Sequence, residues 1–155
     1  QVPLPGGRAA SQCDVFALLR SQETLITCAI EGKVDEPFGP TVGEWQSKDS
    51  PGKRTRLTYL CELLGFEQPV EPSVRYQLLH RTASAVIEAR RFNAGAAAMV
   101  VHSFSPTHRW RADFEAFAGL FRNQRDAGET KLVSLPCGLQ LCLGWAPGDP
   151  SFLVT

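Results

Sequence analysis

Apolar residues fall into short continuous or alternating runs, and these runs predict the β-strands of the chain. Residues 14–20 and 24–34 form two such runs, separated by a short polar turn. The second run is rich in β-branched residues, and together they predict an antiparallel hairpin. Residues 96–104 predict a buried strand, and residues 138–145 predict a last one.

Apolar residues at helical spacing predict three helices between these strands, over 53–64, 74–92 and 111–123. Gly65 is a typical C-terminal cap for the first helix, and Ser73 is a typical N-cap for the second. The resulting order, β-β-α-α-β-α-β, predicts an α/β fold with a mixed sheet flanked by helices.

Composition indicates one folded domain over residues 1–155. Hydrophobic residues make up 43% of the chain and charged residues 21%, which is ordinary for a globular protein. No apolar run is long enough to cross a bilayer, so no membrane association is expected. The five cysteines form no CxxC pair, which favours a reducing compartment, and we expect a cytoplasmic protein. Because the chain opens without methionine on a Pro/Gly segment, we also expect a truncated N-terminus.

The candidate chemistry lies at the end of the second predicted strand. Side chains alternate along a strand, so Glu31 and Lys33 point the same way at the end of an otherwise apolar segment. Burying a charge costs several kcal/mol unless it is paired or bound to a metal. Asp14 starts the preceding strand, and an antiparallel hairpin would bring it beside Glu31. Two carboxylates held together favour a divalent cation, and a nearby lysine could help to activate a water molecule.

Asp14 followed by Glu31-Gly32-Lys33 on the next strand, with helices after it, resembles the PD-(D/E)xK nuclease superfamily. The resemblance implies a restriction-endonuclease-like fold in which Asp14, Glu31 and the Gly32 carbonyl bind Mg²⁺ or Mn²⁺. Lys33 would then act on the attacking water and stabilise the negative charge that develops on the phosphate. Some branches of the superfamily use a glutamine on the following helix, which makes Gln77 a further candidate.

Two departures from the superfamily pattern accompany this resemblance. Cys13 stands where a proline would precede the aspartate, and the usual leading helix is absent. The chain also resembles an uncharacterised bacterial domain family with Leu-Pro-Gly-Gly, Glu-Gly-Lys-Val-Asp-Glu-Pro-Phe-Gly and Arg-Tyr-Gln-Leu-Leu-His-Arg segments. That second resemblance brings no activity with it.

Three functions follow as hypotheses. The first is a metal-dependent endo- or exonuclease that hydrolyses phosphodiester bonds, as a homodimer in the way of many nucleases of this kind. The second is an inactive nuclease-fold protein that acts as a binding or regulatory module, which the net charge of zero favours because strong non-specific nucleic-acid binding needs surplus Lys and Arg. The third is a small metal-dependent hydrolase acting on another substrate.

Weaker candidates surround this motif. Ser11 and Gln12, just ahead of Asp14, could contact a nucleic acid or serve a local turn, and His80 and Arg81 could also contact a nucleic acid. Asp35 and Glu36 could supply a second metal position. The alternatives stay open: Glu31 and Lys33 could be an exposed surface pair, with Asp14 capping a turn. Likewise, the polar stripe on the 74–92 helix could simply face solvent; its members are Gln77, Arg81, Ser84 and Glu88.

Overall fold

The computed structural model describes residues 1–127 and 130–153. Its strands are β1 (Val15–Ser21), β2 (Thr24–Lys33), β3 (Ala96–Ser103), β4 (Gln124–Ala127), β5 (Thr130–Ser134) and β6 (Gln140–Pro147). Its helices are α1 (Val42–Gln46), α2 (Pro51–Leu64), α3 (Tyr76–Arg91) and α4 (Arg111–Ala118), with a 3₁₀ turn at Pro150–Leu153. None of the described helices is both long and apolar enough to span a membrane.

The strands form one mixed sheet in the order β1-β2-β3-β6-β5-β4. The predicted hairpin is confirmed, because β1 and β2 pair antiparallel. Strands β2, β3 and β6 run parallel to one another, and antiparallel hairpins occupy both sides of this central group. The predicted mixed α/β architecture is therefore confirmed, and the carboxyl ends of three parallel strands meet at one edge, where ligand sites of such sheets usually lie.

Helix α3 packs across β2 and β3, and α4 packs against β6. Both helices lie on the same face of the sheet, since Trp145 of β6 contacts Phe114 of α4 and is level with Val101 and Glu31 in the register. On the central strands β2, β3 and β6, this helix-covered face is almost entirely buried, whereas Ile26, Ile30, Val100 and other residues of the opposite face keep partial exposure. The core therefore lies between the sheet and one layer of helices.

Local signals explain most of the helix boundaries. Helix α2 has Ser50 as its N-cap and Pro51 in its first turn, and it ends at Gly65, whose φ of 78° requires a glycine-like conformation. The prediction that Ser73 caps the long helix is wrong, because α3 begins at Tyr76 after the N-cap Arg75. Arg75 has no side-chain cap bond and instead pairs with Asp113 at 2.7 Å.

The predicted helix over 111–123 is too long, since α4 ends at Ala118. The β4–β5 hairpin was not predicted from the sequence. Strand β4 is mostly exposed and consists of Gln, Arg, Asp and Ala, so it carries no alternation of apolar and polar residues. Pairing with the buried strand β6 through β5 holds this segment in the sheet.

The N-terminal segment is fastened to α2 by a buried arginine. Arg56 donates from Nε to the Pro5 carbonyl at 2.8 Å and from Nη2 to the Leu4 carbonyl at 3.2 Å. Gly6 has a φ of 80°, and a Cβ built on it would overlap the carbonyl oxygen of Gly52 in the first turn of α2. The Leu-Pro-Gly-Gly segment therefore needs glycine at this position for close backbone contact as well as for its conformation.

Substitution of Gly6 should expose this constraint. We expect Gly6→Ala to lower the free energy of unfolding by about 3 kcal/mol, because it adds a backbone clash to the left-handed strain. Gly138→Ala is the matched control: Gly138 has a φ of 84°, and nothing lies within 4 Å of a Cβ built there. It should cost about 1 kcal/mol. Equal losses in urea unfolding would contradict the close-contact explanation.

Candidate functional site

Glu31 and Lys33 are buried side by side at the carboxyl end of β2. They are 4% and 5% exposed, and Lys33 Nζ lies 3.3 Å from Glu31 Oε1. Lys33 also lies over the ring of Phe38, 5.4 Å from its centroid. The alternative of an exposed surface pair is therefore wrong. Two ionised groups in this position need partners beyond each other, because each loses its hydration on burial.

Helix α3 supplies these partners. Gln77 Nε2 donates to Glu31 Oε1 at 2.6 Å, and Arg81 Nε donates to Glu31 Oε2 at 2.7 Å. The two residues are one helical turn apart, so they reach the same carboxylate from one stripe of α3. The alternative that this stripe faces solvent is wrong for its other members too, since Ser84 and Glu88 are buried. Charge-assisted bonds of this kind are stronger than neutral ones, and they hold α3 over β2.

Ser11 and His80 extend the network towards the N-terminal segment. Arg81 Nη1 donates to Ser11 Oγ at 3.2 Å, and Ser11 Oγ lies 2.9 Å from His80 Nδ1. Ser11 is buried, and its backbone pairs with Val2 in an isolated antiparallel bridge. The sequence suggested Ser11 only as a turn residue or a nucleic-acid contact. A serine ahead of a strand carries no signal for a hydrogen bond to a helix so distant in the chain.

His80 is held in its neutral form. Burial, with the positive charges of Arg81 and Arg56 nearby, lowers its pKa from 6.5 to about 3. Because Arg81 Nη1 lies 3.4 Å from Nδ1 and can only donate, we assign the proton of the neutral ring to Nε2. His80 therefore accepts hydrogen bonds in this network and carries no charge near neutral pH.

Asp14 is exposed and lies in a bend immediately before β1. The hairpin register ends with Val15 opposite Ile30, so Asp14 lies near the Glu31–Gly32 end of β2 but outside the paired residues. Its Oδ2 accepts a hydrogen bond from the Gly32 amide at 2.8 Å. The predicted pairing of the Asp14 and Glu31 carboxylates stays a prediction. Asp14 caps the free backbone beyond the last hairpin pair, close to the role that the alternative gave it.

The donor set at this site suits a divalent cation only in part. No group of three His, Cys, Asp or Glu residues within residues 1–127 and 130–153 is arranged to hold a metal. Mg²⁺, however, is usually bound by one or two carboxylates together with water and substrate phosphates, which suits Asp14 and Glu31. Gln77 Oε1 is buried, and no donor in the described part of the chain reaches it. This orphaned oxygen fits a cation or its bound water, provided that Arg81 releases Glu31 Oε2.

Several weaker candidates lie apart from this cluster. Gln12 is exposed and accepts a hydrogen bond from Gln1 at 2.7 Å. Asp35 pairs with Arg109 at 3.5 Å on the surface. Glu36 is 56% exposed and 3.8 Å from Lys33, so it is the one residue of the suggested second metal position that touches the cluster.

Comparison with known proteins places most of the chain in one family. The family model described as "Domain of unknown function (DUF6946)" matches residues 1–150. No curated protein and no solved structure matches the chain. The prediction of an uncharacterised domain family is confirmed, and the PD-(D/E)xK superfamily stays a prediction.

The neutral state of His80 gives stability a defined pH dependence. Between its folded pKa of about 3 and its ordinary value of 6.5, the unfolded chain binds a proton that the folded chain does not. Stability should therefore fall as the pH drops below about 6.5, by about 2 kcal/mol from this residue at pH about 5. Urea unfolding at pH about 7.5 and about 5 should show a smaller loss in His80→Gln than in wild type. The same loss in both proteins would exclude His80 as the source.

Proposed function

The chain belongs to this family of unknown function, and we propose that it is a metal-dependent nuclease that hydrolyses phosphodiester bonds of nucleic acid. The observation that carries the proposal is the buried pair Glu31 and Lys33, with Asp14 bonded to the Gly32 amide between them and Gln77 bonded to Glu31. Apolar residues of similar volume would fill this place at least as well, so the buried charges favour a functional role.

The order of strands and helices also supports the proposal that the chain has a restriction-endonuclease-like fold. Asp14 immediately precedes β1, and Glu31 and Lys33 end β2. Helix α3, which carries Gln77, packs on β2, and β3 runs parallel beside it. This order of elements agrees with the superfamily pattern that Asp14, Glu31 and Lys33 resemble, which supports the proposal.

In the proposed mechanism, Asp14 and Glu31 would hold Mg²⁺ or Mn²⁺, with the Gly32 carbonyl as the backbone ligand that the resemblance implies. The ion, when bound, supplies Lewis-acid activation of the phosphate and lowers the pKa of a coordinated water. Lys33 Nζ would orient the attacking water and stabilise negative charge on the phosphate. Gln77 would keep Glu31 in position through its hydrogen bond.

Arg81 gives the site a group that would bind an anionic substrate. Arg81 and Lys33 bring two positive charges, which Glu31 and Asp14 balance in the site as folded, and Glu36 is too exposed to contribute much. A substrate phosphate would offer Arg81 a bidentate acceptor in place of Glu31. The proposed substrate thus frees the carboxylate oxygen that the metal requires. His80 would act through Arg81, as a neutral acceptor beside it.

Cleavage of nucleic acid tests this function directly. Wild type with Mn²⁺ should cleave at least one of single-stranded DNA, double-stranded DNA and RNA. Lys33→Met should lower the rate by at least about 100-fold while Mn²⁺ binding persists, because the lysine acts on water and phosphate. Glu36→Gln, at the neighbouring exposed carboxylate, should stay within about twofold. The nuclease proposal fails if wild type cleaves none of the three substrates.

A second function is favoured by one observation: the carboxylate of Glu31 is already bonded by three protein donors. A site satisfied in this way suits a nuclease-fold protein that has lost activity and binds a partner instead. The two functions differ in whether the cation can replace Arg81.

Direct Mn²⁺ titration by calorimetry separates the two. If the site binds metal, Arg81→Met should tighten Mn²⁺ at least about tenfold, because a competing cation leaves Glu31. Glu31→Gln in the same background should abolish binding. Arg91→Met is the control, since Arg91 lies on the same helix, is 71% exposed and pairs with Glu88. Absence of Mn²⁺ binding in both wild type and Arg81→Met would favour the binding module.

A further inference from the structure

Strand β1 exposes large apolar side chains on both faces of the sheet. Val15, Phe16, Leu18 and Leu19 are between 41% and 51% exposed. Phe16 lies on the helix-covered side, where it stacks on Phe92 at the end of α3. Val15 and Leu19 lie on the opposite side by alternation. Contiguous apolar surface on an edge strand is unusual in a monomer and marks a place where another chain can add.

The outer edge of β1 also carries unpaired backbone groups. The carbonyls of Leu25 and Lys33 accept hydrogen bonds from the β3 side, so the odd-numbered residues of β2 direct their backbone towards β3. The even-numbered ones pair with odd-numbered residues of β1. The backbone groups of Phe16 and Leu18 therefore point away from the sheet. Within residues 1–127 and 130–153, no strand pairs with this edge.

We propose that a second copy of this chain pairs with β1 in antiparallel orientation, with the two-fold axis at Ala17, and joins two sheets into one. In this register Phe16 faces Leu18 of the partner subunit, and Val15 faces Leu19 of the partner subunit. Asp14 faces Arg20 of the partner subunit. Each pair occurs twice because the interface is symmetric. Every large apolar side chain of β1 then meets another apolar one, and every charge meets its opposite.

Neighbouring registers lose this complementarity. The outward backbone groups allow shifts by two residues only, since a one-residue shift would break the hydrogen-bond pattern. A shift in one direction places Phe16 against Arg20 of the partner subunit, and a shift in the other places Asp14 against Leu18 of the partner subunit. Stacking of two sheets on their open faces is a weaker solution, because it would leave Phe16 and Leu18 exposed.

The pairing also changes the surroundings of the candidate site, although it does not depend on the proposed function. Arg20 pairs with Glu23 of its own turn at 3.1 Å, and both side chains are largely exposed, so this contact is weak and exchangeable. Across the interface, Arg20 of the partner subunit lies beside Asp14, which itself accepts a hydrogen bond from the Gly32 amide next to Glu31. Each copy therefore brings one positive charge to the edge of the other copy's site.

A charge-swap experiment tests the register. Asp14→Lys would set two positive charges against each other across the interface, and Arg20→Asp would set two negative charges against each other. Sedimentation equilibrium of wild type should show a dimer, and each variant alone should dissociate at least about tenfold more readily. An equimolar mixture of the two variants restores both ion pairs and should dimerise like wild type. Phe152→Lys, at an exposed aromatic residue outside β1, should leave the dimer unchanged.

Cross-linking tests the axis independently of charge. Paired Ala17 residues occupy a non-hydrogen-bonded site, where Cα atoms lie about 4.5 Å apart, within the range of a disulfide. In a Cys137→Ser background, which removes the exposed native thiol, Ala17→Cys should form a disulfide-linked dimer under oxidation. Val15→Cys should not, because its two copies would lie about 13 Å apart. A monomeric wild type, a mixture that stays dissociated, or equal cross-linking at both positions would overturn the proposal.

Discussion

The carboxylate of Glu31 is the constraint on which the rest of the site depends. It lies almost fully buried at the end of β2, where an ionised group is unstable without several partners. Gln77 and Arg81 reach it from α3, and Lys33 reaches it from its own strand. Helix α3 must therefore cross the sheet with the stripe that contains Gln77 and Arg81 facing β2. Its apolar neighbours on that side complete the core, and they are Leu78, Leu79, Ala85, Val86 and Ala89.

The N-terminal segment belongs to the same system, although it is distant in sequence. Arg56 holds the carbonyls of Leu4 and Pro5, and the segment then runs back to place Ser11 under α3. Ser11 accepts a hydrogen bond from Arg81 Nη1 and Glu31 accepts one from Arg81 Nε, so the guanidinium group is fixed at two of its nitrogen atoms. Gly6 is thus connected to the site through the N-terminal segment itself, which Arg56 fastens at Leu4 and Pro5 and Arg81 fastens at Ser11.

The charges of the cluster explain why one arrangement supports two functional hypotheses. Glu31 faces Arg81 and Lys33, and Asp14 adds a second negative charge at Gly32, so the charges of the site as folded balance. A phosphate that engaged Arg81 would leave Glu31 and Asp14 for a cation. Without a phosphate, Glu31, Arg81 and Lys33 form a buried ion-pair network that stabilises the position of α3. This network does not explain why Gln77 Oε1 is buried without a donor in the described part of the chain.

The spacing of apolar residues was enough to predict the β1–β2 hairpin, the inner strands β3 and β6, and the long helices α2 and α3. Each of these segments buries one face or both, so its apolar residues recur with the period of a strand or a helix. The same spacing also placed Glu31 and Lys33 on one face with Asp14 nearby, since alternation and a short turn leave little choice. Tertiary structure decided the rest. The β4–β5 hairpin has no apolar pattern of its own and exists through pairing with β6. The contacts of Arg81 with Glu31 and of Ser11 with His80 join residues far apart in the chain, and only packing of α3 across the sheet brings them together.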